Sequence, residues 1–211
     1  MSTHSHSTDD LRRVPRQRRG ERRLAELLQA AAAVIAAVGY DAATMSAIAE
    51  RAGAPIGSLY QFFPNKQAIT HALRIEYGKD YEGRLMALQA EAKHLTLPLL
   101  VERLIDLSVG FVESHPAFLA LLDAPSTTRS PAALRMTLRE RLAACLIAVH
   151  PRANKIKSMR LATITLQLLK GLNQLYAETP AVERRLYVRE YKIALSCWLT
   201  ARLEANVRGG K

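Results

Sequence analysis

Apolar residues recur at three- and four-residue intervals along most of the chain, which is the period of an amphipathic helix. From Glu21 to Val38 the residues Leu24, Leu27, Leu28, Ala31, Val34, Ile35 and Val38 share one face. Gly39 suits the position just past the end of that helix, with Tyr40 set to touch Ile35. A second helix is expected after Thr44, a third from Pro55, and a fourth from Lys66 to about Lys93, where Gly78 and Gly83 permit a break. Beyond it, Pro98, Pro116, Pro125, Pro131, Pro151 and Pro180 punctuate the pattern, because proline suits helix starts and loops. They divide the chain into helices near 98–114, 116–123, 131–149, 154–177 and 181–206, with Asp123 to Pro131 as the clearest loop. No long alternation of β-branched residues appears, so strands are not expected and the fold class is all-α.

The stretch from Thr44 to Lys66, TMSAIAERAGAPIGSLYQFFPNK, is the most informative. The Thr44 hydroxyl can accept one of the unpaired N–H groups of an opening helical turn. Ala47 stands where a capping-box Glu or Gln would be, so the box is incomplete. Ala47, Ile48 and Ala52 give this helix a narrow apolar face. Gly53 ends it, because so tight a turn needs positive φ. Pro55 fits the first turn of the next helix. Leu59, Phe62 and Phe63 are spaced to face inward, leaving Ile56, Gly57, Ser58, Tyr60 and Gln61 near the outer face. Asn65 can cap a further helix, with Pro64 and Ile69 as its hydrophobic staple. Two short helices around a glycine turn, the second polar at its exposed start, make a helix-turn-helix.

Thr44, Ile48, Ala49, Ala52-Gly53, Gly57-Ser58-Leu59-Tyr60, Phe63 and Asn65-Lys66 together resemble the DNA-binding signature of the TetR family of transcriptional regulators. The resemblance implies a three-helix DNA-binding domain followed by a helical ligand-binding and dimerisation domain. The expected divisions are a disordered basic arm at 1–19, the DNA-binding domain at 20–67 and the regulatory domain at 68–207. Two positions depart from the family's usual pattern. Pro55 stands where Ser or Thr is common, and Ile56 where a basic or polar residue is common. By resemblance Tyr60 and Lys66 contact phosphates, joined by Thr44 at its helix N-terminus. Ile56, Ser58 and Gln61 are the expected base readers, and Pro55 and Gly57 belong to the same DNA-binding surface. Ile56 suits a thymine methyl and Gln61 an adenine.

Charge sharpens the expectation. The net charge is +11, and from Arg12 to Arg23 seven arginines stand against Glu21 alone, a net of +6. A solubilising tail is one account of that arm. Beside a helix-turn-helix it reads instead as an arm that tracks phosphates or enters a minor groove, through Arg18, Arg19 and Arg22. Its partner is then double-stranded DNA bearing a palindromic operator, with half-sites about one helical turn apart or slightly more. The longest apolar run, Ala30 to Val38, is too short to span a bilayer, and the N-terminus lacks a signal-peptide core. A soluble cytoplasmic protein without a membrane partner is expected.

In the C-terminal half, Ile164, Leu168, Leu172 and Leu175 form one stripe, with Gly171 permitting close approach. Val188, Tyr191, Leu195, Trp198 and Leu199 form another. Both stripes suit ordinary core, and both suit a four-helix bundle made from two copies of a helix pair. The resemblance favours the homodimer, which a two-fold DNA reader also requires. It also implies a ligand pocket among the helices from about 70 to 177, with Met86, Leu107, Phe111, Phe118, Leu122, Met136 and Gln167 as candidate lining residues. Composition suits an apolar or weakly polar small molecule, and the surplus basic charge tolerates an anionic group.

His71, His94, His115 and His150 are scattered, and Cys145 and Cys197 lie in apolar helical contexts where both read as small buried residues. No His-x-x-x-His pair, paired acidic motif or glycine-rich phosphate loop is present, so neither catalysis, a metal nor a cofactor is expected. The expected function is a sequence-specific transcriptional regulator, a repressor released from its operator by a small molecule. A constitutive or nucleoid-type DNA-binding protein without an effector is one rival. A helical small-molecule-binding protein without DNA binding is another, and the intact Thr44–Lys66 signature and basic arm argue against it.

Overall fold

The computed structural model of the chain describes residues 10–124 and 132–204, with side chains from residue 18 onward. Nine α-helices and no strand are found among the described residues. In order they are α1 (Asp10–Ala42), α2 (Met45–Arg51), α3 (Ile56–Phe62), α4 (Lys66–Glu91), α5 (Leu97–Ser114), α6 (Phe118–Asp123), α7 (Ala132–Val149), α8 (Lys155–Glu178) and α9 (Ala181–Glu204), with a 3₁₀ turn at Ala92–His94 after α4. The proline-delimited expectations match these bounds closely. The glycines at 78 and 83 do not interrupt α4. The loop expected from Asp123 lies, from residue 125 to 131, outside the described residues.

Local chemistry sets the helix ends. Thr44 Oγ1 accepts from the Ala47 amide at 3.1 Å and Asn65 Oδ1 from the Ala68 amide at 2.9 Å, so both expected caps are present. Asn154 does the same for α8, accepting from Ile156 at 2.7 Å. At the end of α2, Gly53 sits at φ 56°. The Ala54 amide donates to Ala49 O at 2.9 Å and the Gly53 amide to Glu50 O at 3.0 Å, the two bonds of a Schellman stop. Gly39 has φ 79° and ψ 170° and kinks α1 three residues before its end.

Two cores meet across α4. The first gathers Leu27, Leu28, Ala31 and Ile35 of α1, Ile48 of α2, Leu59 of α3 and Ile69 and Leu73 of α4, together with Ala117 and Leu121 at α6. α2 and α3 are seven residues each, too short to be stable alone. They persist because Ile48 and Leu59 are fully buried, at about 1.5–3 kcal/mol per side chain. The second core joins Leu85, Leu104, Ile105, Phe111, Leu142, Leu146, Leu161, Leu172 and Leu195 across α4, α5, α7, α8 and α9. Tyr77 of α4 packs against both. A division at residue 67 therefore cuts through shared packing, because the first core borrows from α4 and α6.

Four further expectations are corrected. α1 begins at Asp10, so residues 10–19 of the supposed disordered arm are helical, as arginine's good helix propensity favours; residues 1–9 lie outside the described residues. Pro55 occupies the N-cap of α3, one residue before the helix starts. Phe62 is 38% exposed, because Leu59 and Phe63 already fill the space beneath α3. Cys197 is exposed, whereas Cys145 is buried as expected. Segment Arg18–Ala42 is long and apolar enough by composition to cross a membrane. Its Leu27, Ala31 and Ile35, however, are spent in the first core.

Candidate functional site

α2 and α3 present one polar face away from the first core. On it Thr44, Pro55, Gly57 and Gln61 are exposed, Ser58 is half-buried, and Ile56 and Tyr60 are 43% and 50% exposed. The buried Leu59 and Phe63 fix the roll of α3, and this leaves Ile56, Tyr60 and Gln61 outward. Arg51 in the last turn of α2 is exposed beside them and was missed in the sequence, because its helix is too short for a polar face to register. Arg18, Arg19 and Arg22 are exposed on α1, where Arg22 pairs with Glu26 at 3.5 Å. The arm's charge is thus carried on a helical ridge continuous with the first core.

Lys66 is placed differently from a free surface cation. Its Nζ donates to Tyr40 O at 2.7 Å and Asp41 O at 3.0 Å, and stands 4.4 Å over the Tyr40 ring. Two of three ammonium hydrogens are therefore engaged within the protein.

A cavity of about 250 Å³ opens between α4, α6, α7 and α8. Tyr77, Tyr81, Phe118, Leu121, Leu122, Leu134, Leu138, Leu166 and Leu169 give it an apolar body. Gly78 lies directly under Leu134 and lets α7 approach α4 there. Deeper polar contact comes from Asn173, whose Oδ1 accepts from Ser108 at 3.1 Å. Burial pushes the Tyr81 hydroxyl up to about 12, and that of Tyr77, with Glu76 adding, also to about 12. Arg74 also lines the cavity and donates to Leu121 O and, at 3.2 Å, to Ala124 O. Burial lowers its pKa, with Tyr40 acting the other way. Of the expected lining residues, Phe118, Leu122 and Gln167 are present. Met86 and Met136 are on the surface, 53% and 45% exposed. Phe111 is wholly buried, with its ring stacked on His115 at 4.2 Å, and Leu107 packs on the second core.

The expected dimer stripes divide. Ile164, Leu168, Gly171 and Leu175 lie on an outer strip of α8, Ile164 and Leu168 being exposed. Leu172 is turned into the second core and is fully buried, as is Leu195 to within 3%. Val188, Tyr191 and Trp198 are half-buried against the same core. The Tyr191 hydroxyl lies 3.6 Å from where a Gly171 Cβ would stand, an ordinary contact, so close approach does not demand glycine there. Exposed Leu186, Tyr187 and Ile193 on α9 were missed, because charged neighbours break their periodicity.

Family comparison decides what this arrangement is. The model for bacterial regulatory proteins of the tetR family matches residues 27–73, and that for a tetracyclin repressor-like C-terminal domain matches residues 96–199. The chain belongs to the TetR family. It is a DNA-binding transcriptional regulator, and TetR-family regulators bind ligands and act as dimers. A TetR-family transcriptional regulator from Streptomyces coelicolor is 26% identical, with 84% of this chain and 98% of that one covered at a TM-score of 0.66. The TetR family repressor AlkX from Dietzia sp., implicated in biodegradation of n-alkanes, shares the fold at 17% identity, covering 84% and 95% at 0.53. FadR from Bacillus subtilis, in complex with stearoyl-CoA, does so at 17% identity, covering 88% and 98% at 0.50. No curated protein matches the chain. In this TetR-family frame α2 and α3 are the two helices of the helix-turn-helix.

Proposed function

We propose that the protein is a repressor that binds a palindromic operator as a homodimer and leaves it when a small molecule enters the cavity. The observation that carries this reading is Leu121. It lines the cavity and is also part of the first core, the cluster that buries Leu59 of α3. Arg74 ties α4 to the same end of α6. A molecule that displaces α6 or tilts α4 therefore displaces the platform that sets the separation of two α3 helices. It must favour the displaced state by a few kcal/mol to change occupancy.

Each α3 enters a major groove, with Ile56, Ser58 and Gln61 toward the bases and Thr44, Tyr60 and the remaining Lys66 donor toward phosphates. Arg18, Arg19 and Arg22 extend the phosphate contacts. The exposed strip of α8, with its neighbours on α9, supports pairing of two chains into a bundle. Such a regulator works in the cytoplasm by binding, without chemistry of its own.

The test is retention of DNA flanking the protein's own gene against excess unrelated competitor, across a salt series. Specific retention with a steep salt slope supports the reading. If a random-sequence selection also returns no preferred site, sequence-specific repression is ruled out. Gln61→Ala then reports base contact, by relaxing preference at one position by about 1–3 kcal/mol.

A further inference from the structure

We infer that the cavity takes an amphipathic anion: an apolar body the length of a short to medium alkyl chain, ending in one carboxylate-like group. The inference rests on the ligand-response reading above and names the class of effector. About 250 Å³ lies just below the ~300–1,000 Å³ usual for small-molecule sites, so a long or bulky molecule does not fit without rearrangement.

The walls are sorted by chemistry. The inner surface is the tyrosine, phenylalanine and leucine body, closed at depth by Tyr81 and Asn173, which are buried. The outer edge, between α7 and α8, is formed by Arg135, Arg139, Gln167 and Lys170. Arg135, Gln167 and Lys170 are exposed and Arg139 is half-buried, so this edge meets solvent. None of the lining residues described is acidic, whereas four are cationic when Arg74 is included. Of the acids on these helices, Glu82 pairs with Arg141 at 3.6 Å and Asp80 with Arg84 at 3.0 Å, while Glu76 and Glu140, next in sequence to Tyr77 and Arg139, are exposed and lie outside the lining. Arg139 and Lys170 have no ion pair or hydrogen bond to another described residue. Their helices bring them to one rim from positions 31 residues apart, and nothing in the fold uses the charge they place there.

A neutral apolar ligand would leave those two charges unanswered. A cationic one would be repelled by them. An alkyl carboxylate buries its chain along Tyr77, Leu138 and Leu166 and sets its oxygens between the Arg139 guanidinium and the Lys170 ammonium, where charge-assisted hydrogen bonds are the stronger kind. Because the rim is open to water, the gain is modest and depends on salt.

The experiment measures binding of octanoate, 1-octanol and octylammonium to the full-length protein by calorimetry, with release of bound DNA read in parallel. Octanoate is expected to bind roughly tenfold tighter than octanol, about 1.4 kcal/mol, and octylammonium more weakly still. In Arg139→Gln/Lys170→Gln, octanoate is expected to fall to the affinity of octanol while octanol binding and the unfolding temperature hold. A single Lys170→Gln variant, on the exposed side of the rim, is expected to lose part of the preference and guards against misfolding of the double variant. Equal binding of octanoate and octanol to the wild type, a preference that survives both substitutions, or no binding of any of the three overturns the inference. Octanoate binding without DNA release keeps the inference and sinks the ligand-released repressor. Specific DNA binding with no octanoate binding does the reverse.

Discussion

Lys66 Nζ donates to the Tyr40 carbonyl at 2.7 Å and rests 4.4 Å above the same residue's ring. The first residue of α4 is thereby fastened to the end of α1, across 26 positions of sequence. Carbonyls at a helix end have no intrahelical donor, and a cation there also meets the negative end of the helix dipole. The bond to Asp41 O at 3.0 Å serves the adjacent carbonyl.

Lys66→Met therefore has two effects that separate experimentally. Loss of charge-assisted bonds at a partly buried site costs about 1–2 kcal/mol, a fall of a few degrees in unfolding temperature for a chain of this size. The third ammonium hydrogen faces DNA in the proposed complex, so the salt slope of binding drops by about one as well. A lower melting temperature with an unchanged slope would assign Lys66 to bracing alone.

The two verified caps make a second prediction. Thr44→Ala and Asn65→Ala each remove the acceptor for one amide, at 3.1 Å and 2.9 Å respectively. Each is expected to cost about 1 kcal/mol in urea unfolding. The effects should add, since the caps serve different helices. Thr44→Ala should weaken DNA binding beyond its stability cost, and Asn65→Ala should not. Equal effects of both on DNA binding would remove Thr44 from the contact surface.

Alkaline pH supplies a third. Burial pushes the Tyr81 hydroxyl up to about 12, from an ordinary value near 10. A folded pKa raised above the unfolded one gives stability that is complete below about pH 10 and lost as pH rises through about 12. For a ring 9% exposed the loss is of the order of 2 kcal/mol. Urea midpoints at pH 9 and 11.5 measure it, and Tyr81→Phe should flatten the difference. The residual slope belongs partly to Tyr77, whose hydroxyl is raised by burial and by Glu76. No change in slope for Tyr81→Phe would show that the ring reaches water.

The helix-turn-helix was legible because its signals are local. Thr44, Gly53, Asn65 and the Leu59–Phe63 pair each act on neighbours a few residues away, so position alone reveals their role. The cavity was less legible for a geometric reason. Its rim and floor come from four helices, and α8 alone presents three faces: core at Leu161, Thr165 and Leu172, cavity at Thr163, Leu166 and Lys170, and outer strip at Ile164 and Leu168. An apolar period finds the core and the strip together and cannot tell one from the other. Arg139 and Lys170 belong to no motif in the sequence, and only the approach of α7 to α8 gives them a common rim. The bracing bonds of Lys66 were hidden for a related reason: its partners at Tyr40 and Asp41 are backbone atoms, which leave no trace in side-chain pattern.

The separation of strip from core on α8 yields the last prediction. Leu168 and Leu172 are one helical turn apart and were expected in one interface, yet Leu168 is exposed and Leu172 is fully buried. Leu172→Ala should cost about 2–5 kcal/mol of folding stability through lost contacts and the cavity left behind. Its effect on dimerisation should be no larger than that loss explains. Ile164→Glu/Leu168→Glu places two charges on the outer strip and removes little from the core. It should leave the helical content and unfolding temperature of the separated chain near wild type while shifting sedimentation from dimer to monomer. DNA affinity should then collapse at concentrations where the wild type is saturated, because a single recognition helix holds only half the operator. A double variant that sediments as a dimer would move the interface to another face, with Leu186, Tyr187 and Ile193 of α9 as the apolar surface then left to carry it.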